Sequence, residues 1–138
     1  MFILFHMKCL SLKQPFADLL SLGEKTIELR KWKTKFRGKF LIHASKNTDI
    51  GACERLDIDI DKLTKGAIIG SAFLYEVKEY KNQEEFNKDK QKHFSIISKY
   101  FEGYKYGFLV KDARLFKKSI PYSGKLGFFE VDDSIIII

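Results

Sequence analysis

The sequence has little cysteine and no long apolar run, and each shortage excludes a class of protein. Its two cysteines, Cys9 and Cys53, lie far apart without a His or Cys at metal-ligand spacing, so neither a disulfide scaffold nor a metal site is expected. We expect two free buried thiols in a cytoplasmic protein. No apolar stretch approaches the roughly 20 residues that span a bilayer, and the terminal runs 1–5 and 135–138 are far shorter, so we expect no membrane association and no secretory signal.

The composition that remains is that of a globular protein. The chain has 138 residues, of which 45% are hydrophobic and 31% are charged. These values are ordinary for a folded domain and argue against disorder or a coiled coil. We expect a single domain over residues 1–138, with its core from about residue 8 to residue 132 and short terminal extensions.

The positive charge of the chain is concentrated in one part of the sequence. Lys and Arg number 25 against 18 Asp and Glu, which gives a formal net charge of +7. Residues 8–46 contain ten of the basic residues and three of the acidic ones, whereas residues 47–138 contain fifteen of each. A local excess of positive charge is typical of proteins that bind a polyanion, so a nucleic-acid partner is one interpretation.

Periodicity along the chain predicts a mixture of strands and short helices. Gly70 interrupts the longest β-rich stretch and predicts a bend there. The predicted helices cover residues 15–23, 47–56 and 83–101, and the predicted strands cover residues 26–30, 38–45, 66–80, 106–110 and 127–131, with a loop over 117–124. Because strands and helices do not alternate regularly, this pattern favours an α+β fold with a small curved or barrel-like sheet.

Polar residues concentrate in the segment 23–30. Period-2 alternation places Thr26, Glu28 and Arg30 on one face of a strand, and Lys25 lies at the turn that leads into it. A hydroxyl, a carboxylate and two cations on one surface can form a polar ligand site. The alternative is that Glu28 and Arg30 form an exposed ion pair, which contributes little to stability.

The next segment, residues 30–39, is basic and contains aromatic residues. It holds six cations and no acid, with Trp32 and Phe36 among them. Cations such as Lys33, Lys35 and Arg37 neutralise phosphates, and aromatic rings stack on unpaired bases, so this composition suits single-stranded nucleic acid. A solvent-exposed loop would account for the same composition.

Several segments together resemble the ASCH domain family, which belongs to the PUA-like superfamily. They are residues 10–16 (LSLKQPF), 23–30 (GEKTIELR), 36–38 (FRG), 41–46 (LIHASK), 66–77 and 120–131. The resemblance implies a PUA-like small β-barrel flanked by helices, with a cleft that holds RNA, DNA or a nucleotide. Position by position, it implies that the cleft is lined or bordered by Lys13, Gln14, Lys25, Glu28, Arg30, Trp32, Arg37, His43 and Ser45.

One bacterial branch of this family hydrolyses N4-acetylcytidine with a Lys and a Thr three residues later. Lys25 matches that lysine, but Glu28 stands where the branch has threonine, and Thr26 is one residue after the lysine. A carboxylate cannot act as the hydroxyl nucleophile, so catalysis by Lys25 and Glu28 is only an alternative hypothesis. His43, between Ile42 and Ala44 on a predicted strand, is interpreted as a hydrogen-bonded structural residue rather than a general base.

The sequence therefore favours a nucleic-acid-binding module without a cofactor, for which RNA is a better partner than DNA. The residues expected to bind are Lys13, Gln14, Lys25, Thr26, Glu28, Arg30, Trp32, Lys33, Lys35, Arg37, His43 and Ser45. Two alternatives stay open. One is a hydrolase of a modified nucleoside, and the other is an interaction domain for a small anion or a protein, in which residues 135–138 form a contact edge.

Overall fold

The computed structural model of the chain describes residues 7–132, so the isoleucine tail at 135–138 lies outside the described residues. The strands are β1 (Met7–Gln14), β2 (Ile27–Arg30), β3 (Gly38–Thr48), β4 (Ala67–Glu79), β5 (Tyr106–Pro121) and β6 (Phe128–Val131). The helices are α1 (Phe16–Ser21), α2 (Ile50–Arg55), α3 (Gln83–Lys88), α4 (Lys90–His93) and α5 (Ser98–Phe101), with a 3₁₀ turn at Ile60–Lys62. The α+β class predicted from the sequence is confirmed.

The six strands form one sheet in the order β2-β5-β4-β3-β1-β6. β1 and β3 pair in parallel, and the other neighbours pair antiparallel. Alternate residues of β3 face opposite sides, as the sequence predicts: Phe40 and Ile42 enter the main core, whereas Leu41 packs with Cys9 in a second cluster. Burial raises the pKa of the Cys9 thiol to about 12, which suits a structural rather than a reactive cysteine.

Aromatic rings close the curved sheet into a barrel. Phe128 on the edge strand β6 stacks on Phe108 of β5, with ring centroids 6.1 Å apart, although three strands separate β6 from β5 in the sheet order. Phe128 also contacts Trp32, Phe36 and Phe40 at centroid distances of 5.9, 5.1 and 5.7 Å. Because the edge strand β6 meets β5, which is next to the other edge of the sheet, through these five rings, the sheet must curl, and we call the five rings the closing cluster.

The predicted bend at Gly70 is confirmed. The register between β4 and its neighbours shifts next to this residue on both sides. A Cβ at position 70 would collide with the Arg114 carbonyl and come within 2.6 Å of the Ser21 hydroxyl. Glycine is therefore required because β5 and α1 approach the bent strand too closely for a side chain.

Two elements differ from the sequence prediction. The helix predicted over residues 83–101 is three short helices, because Phe94 adopts a left-handed conformation (φ 62°) and because Ile96 and Ile97 lie exposed instead of forming an apolar face. The prediction of a loop over 117–124 is wrong for residues 117–121. β5 continues to Pro121, where it pairs with Ala67 and Ile68 of β4. Within residues 7–132, no helix is long and apolar enough to cross a membrane.

Candidate functional site

The end of α1 positions Lys25. The backbone N–H groups of Glu24 and Lys25 both donate to the carbonyl of Leu19 at 3.0 Å, and Gly23 between them and the helix has a left-handed φ of 79°. This is the reversal that commonly terminates a helix, and glycine adopts it without strain. The turn directs the chain inward, so the Lys25 side chain enters the protein before β2 begins.

Lys25 is a buried cation. It is only 2% exposed, and its Nζ donates to the backbone carbonyl of His93 at 2.6 Å and lies 3.3 Å from Oε1 of Glu28. The ring of Phe16 lies 5.3 Å from the same nitrogen. Burial lowers the pKa of Lys25, and the nearby Glu28 carboxylate offsets only part of this effect.

The lowered pKa makes stability depend on pH. Between the pKa of folded Lys25 and its ordinary value of 10.5, the unfolded chain binds a proton that the folded chain has released. The free energy of unfolding should therefore rise with pH in this window, by at most about 1.4 kcal/mol per pH unit. Urea unfolding from pH 7 to pH 10 should show this rise in the wild type and its loss in Lys25→Met. Lys88→Met removes an exposed ammonium as the control, and parallel profiles for all three proteins would contradict the prediction.

Glu28 forms ion pairs with both Lys25 and Arg30. Its Oε2 accepts a hydrogen bond from Nε of Arg30 (2.9 Å) and forms an ion pair with Nη2 (2.8 Å), and its Oε1 faces Lys25. Arg30 Nη2 also donates to the backbone carbonyl of Ser11 at 2.9 Å. Glu28 is 8% exposed, so the interpretation of a solvent-exposed Glu28–Arg30 pair is wrong. The strand instead presents a fixed Lys25–Glu28–Arg30 row.

This row lines a cleft of about 430 Å³, which we call the Lys25 cleft. Three further cations line it, namely Lys13, Lys99 and Lys125. Of its two carboxylates, Glu28 pairs with Lys25 and Arg30, and Asp49 accepts the N–H of Ala52 at the start of α2. Because both acids already have donors, the cleft offers mainly positive charge to a ligand.

A second cleft of about 760 Å³ adjoins the first, and we call it the His43 cleft. The two clefts share Ser11, Ser45, Lys125 and Leu126 in their linings, so they lie next to each other. Lys46 adds a cation to the second cleft, and among the described residues its lining contains no carboxylate. We refer to the two clefts together as the groove.

His43 lies in the wall of the groove as a hydrogen-bonded residue. Its Nε2 is 2.6 Å from the carbonyl of Tyr122, and its Nδ1 is 2.8 Å from the Ser11 hydroxyl. A carbonyl only accepts, so Nε2 carries a proton and donates it to Tyr122, while Nδ1 is hydrogen-bonded to the Ser11 hydroxyl. His43 thereby connects β1, β3 and the end of β5, which agrees with the structural interpretation of this residue.

The side chains of the basic segment 30–39 point alternately into the protein and into solvent. Trp32 and Phe36 turn into the closing cluster, whereas Lys33, Lys35 and Arg37 are exposed. Arg37 lies 3.3 Å from Glu76. The aromatic residues therefore fill the barrel, and their position among cations follows from this alternation. The three exposed cations are absent from the described linings of both clefts.

Two other predicted residues have structural contacts. Gln14 is fully buried, and its side chain bonds to Asp18 and to the carbonyl of Thr64. Thr26 lies outside the described linings of both clefts, and its backbone bonds to Lys92 and Val110. The Lys25 cleft therefore does not place the Thr26 hydroxyl beside Lys25. Lys13 and Ser45 do line the groove, as predicted.

Sequence patterns missed several residues of the site. His93, which anchors Lys25 through its carbonyl, has a buried ring that donates from Nε2 to Phe86 and accepts from the Ser95 N–H. Burial lowers the pKa of His93, and the nearby Lys25 lowers it further. Lys99, Tyr104 and Lys125 also enter the Lys25 cleft from distant parts of the chain. Lys99 and Tyr104 lie in a stretch without a motif, and Lys125, although it falls within the resembling segment 120–131, was not among the residues expected to bind.

Comparisons with known proteins agree with this architecture. No curated protein matches the chain. The crystal structure of ASCH from Zymomonas mobilis matches with a TM-score of 0.68 and 16% identity, covering 94% of this chain and 90% of that one. A serine-to-alanine mutant of that protein gives a TM-score of 0.67 at 16% identity, with coverages of 93% and 89%. A tyrosine-to-phenylalanine mutant gives 0.67 at 16% identity, with coverages of 94% and 92%.

The solved structures establish the fold, which is the PUA-like barrel expected from the sequence. The family model described as "ASCH domain" matches residues 10–117. That range runs from β1 into β5, and it includes the Lys25–Glu28–Arg30 row. The chain therefore belongs to the ASCH domain family.

Proposed function

We propose that this ASCH domain binds single-stranded RNA along the groove, without catalysing a reaction. The single observation that carries the proposal is that the Lys25 cleft and the His43 cleft are neighbours with four lining residues in common, so that together they offer a strand more length than one nucleotide needs. A cleft of about 430 Å³ is in the size range of small-molecule sites and suits one base with its sugar. The adjoining cleft then holds the next part of the strand.

The charge of the groove supports a polyanionic ligand. Lys125 belongs to both linings, Lys13 and Lys99 border the first cleft, and Lys46 borders the second. Cations arranged along a groove bind successive phosphates and give sequence-independent affinity. The exposed Lys33, Lys35 and Arg37 are proposed to add phosphate contacts where the strand leaves the groove.

Hydroxyl and amide side chains favour RNA over DNA as the partner. Ser11 and Ser45 line both clefts, and Asn47 lines the first. Such side chains can donate to and accept from a ribose 2′-hydroxyl, which DNA lacks. Leu126, which is 99% exposed between the clefts, offers an apolar surface to an unstacked base. No part of this proposal needs a metal ion or a cofactor.

The affinity for short single-stranded RNA is expected to fall steeply as the salt concentration rises. With about four phosphate contacts, the affinity should fall about 50-fold between 50 and 200 mM salt. Lys46→Glu/Lys125→Glu should weaken binding at least 10-fold and make the dependence on salt shallower. Fluorescence anisotropy with labelled ten-nucleotide RNA and with DNA of the same sequence measures both effects.

A matched control separates the groove from the net charge. Lys81→Glu/Lys88→Glu makes the same change in charge at side chains that are 67% and 73% exposed and that lie outside the described linings. Lys33→Glu/Lys35→Glu is expected to weaken RNA binding less than the groove variant. The proposal fails if the wild type shows no affinity for RNA at 50 mM salt. It also fails if the control weakens binding as much as the groove variant.

A further inference from the structure

The Glu28 carboxylate has one hydrogen-bonding position left for a ligand. A carboxylate offers about four acceptor positions. Nε of Arg30 donates to Oε2 at 2.9 Å, Nη2 of Arg30 lies 2.8 Å from the same oxygen as its ion-pair partner, and Lys25 lies 3.3 Å from Oε1. The remaining position is on Oε1, and Glu28 lines the Lys25 cleft. The floor of the cleft therefore presents a fixed acceptor.

The two cations beside Glu28 have donors left. Of the three N–H groups of Lys25, one donates to His93 and one faces Glu28, which leaves a third. The hydrogen bonds of Arg30 to described residues use Nε and Nη2, and none of them uses Nη1. Lys25 and Arg30 both line the cleft. Counted from Lys25 through Glu28 to Arg30, the row therefore has a spare donor, a spare acceptor and a spare donor.

Only some base edges complement this order. Uracil presents an acceptor, a donor and an acceptor along its edge, through O4, N3–H and O2. Cytosine presents an amino donor and two acceptors, which would place its amino group against a cation and its N3 against the carboxylate. Adenine presents a donor and an acceptor, and guanine an acceptor followed by two donors. Uracil alone of the four matches all three positions.

We propose that the Lys25 cleft selects the imide edge of uracil, with Glu28 accepting from N3–H and with Lys25 and Arg30 donating to the two carbonyl oxygens. This inference rests on the proposed function, since it concerns the RNA bound in the same groove. Burial makes the selection effective. Lys25 is 2% exposed and Glu28 is 8% exposed, so a wrong base would leave polar groups unpaired away from water.

The row is also preorganised. His93 holds Lys25 through its backbone carbonyl, and Ser11 holds Arg30 in the same way. Because both anchors are backbone atoms, the donors need little rearrangement when a ligand enters. Discrimination of this kind between bases is commonly worth 5-fold to 150-fold in affinity, and we expect at least 10-fold for uracil over cytosine.

The test compares ten-nucleotide oligouridine with oligocytidine at one salt concentration, because these RNAs share the same backbone and are both pyrimidines. Wild-type protein should bind oligouridine at least 10-fold more tightly. Oligouridine with methyl groups on N3, which removes the N–H donor, should bind no better than oligocytidine. This arm needs no protein variant, so it does not depend on how any substitution folds.

Glu28→Gln provides the arm on the protein side. The amide keeps an acceptor for Lys25, but it is uncharged and adds a donor, so the preference for uridine should fall below 3-fold while the salt dependence persists. Glu84→Gln, at a side chain that is 81% exposed and that pairs with Lys88 outside the described linings, is the matched control and should keep the preference.

The outcomes separate this inference from the proposed function. Equal, salt-dependent binding of oligouridine and oligocytidine by the wild type would overturn uracil selection and leave RNA binding intact. Undiminished binding of the N3-methylated RNA would overturn it as well. Absence of binding to every RNA at 50 mM salt would overturn both proposals.

Discussion

Replacing Glu28 with leucine is expected to lower the free energy of unfolding by about 3 to 5 kcal/mol, which is typical for breaking a buried ion pair from one side. Glu28 is the ion-pair partner of both Lys25 and Arg30. Lys25 is buried, and its other polar contact among the described residues is a backbone carbonyl, which carries no full charge. Leucine would leave this ammonium without a counterion in a poorly solvated place.

Urea unfolding followed by circular dichroism measures the loss. Glu84→Leu makes the same replacement at a side chain that is 81% exposed, and it should change stability by no more than about 0.5 kcal/mol. Glu28→Gln should cost less than Glu28→Leu, because the amide oxygen still accepts from Lys25. If Glu28→Leu and Glu84→Leu prove equally mild, the row contributes little to the stability of the fold.

Replacing Phe128 with alanine is expected to lower the free energy of unfolding by about 3 kcal/mol, the second large effect. This value is at the low end for phenylalanine because the ring is only partly buried. Phe128 touches every other ring of the closing cluster, so its removal leaves a cavity where β6 meets the opposite end of the sheet. The neighbouring rings belong to β3, to β5 and to the segment before β3, and they can collapse only partly into this space.

Thermal or urea unfolding of Phe128→Ala beside Phe101→Ala tests this prediction. Phe101 is 74% exposed, so its truncation should cost about 0.5 kcal/mol or less. Phe128→Leu, which keeps most of the volume, should recover part of the loss. A barrel that tolerates Phe128→Ala as well as it tolerates Phe101→Ala would not be closed by these rings.

Local sequence patterns were sufficient to predict several helices and strands and the residues at the centre of the site. Alternation over residues 26–30 predicted β2, and its polar face supplied Glu28 and Arg30. The second predicted helix, over residues 47–56, forms as α2, and the Asp49 side chain caps it by accepting the N–H of Ala52. These predictions succeed because periodicity and capping depend on residues close together in the chain.

Other features depended on where distant segments meet. Trp32 and Phe36 looked like stacking surfaces among cations, yet they fill the barrel, because Phe108 and Phe128 lie across from them. The predicted helix over residues 83–101 breaks, and the break brings the His93 carbonyl to the Lys25 ammonium. A contact across 68 residues leaves no trace in the local pattern of either segment.

The sequence by itself determined the family, the alternation of β2 and the position of the excess positive charge in residues 8–46. Only the tertiary structure decided that Lys25 and Glu28 are buried, and that Lys99 and Lys125 join them in one groove. The physical reason is that charge and periodicity are properties of a short stretch of chain. Burial and convergence arise only when the sheet curls and brings its two ends together.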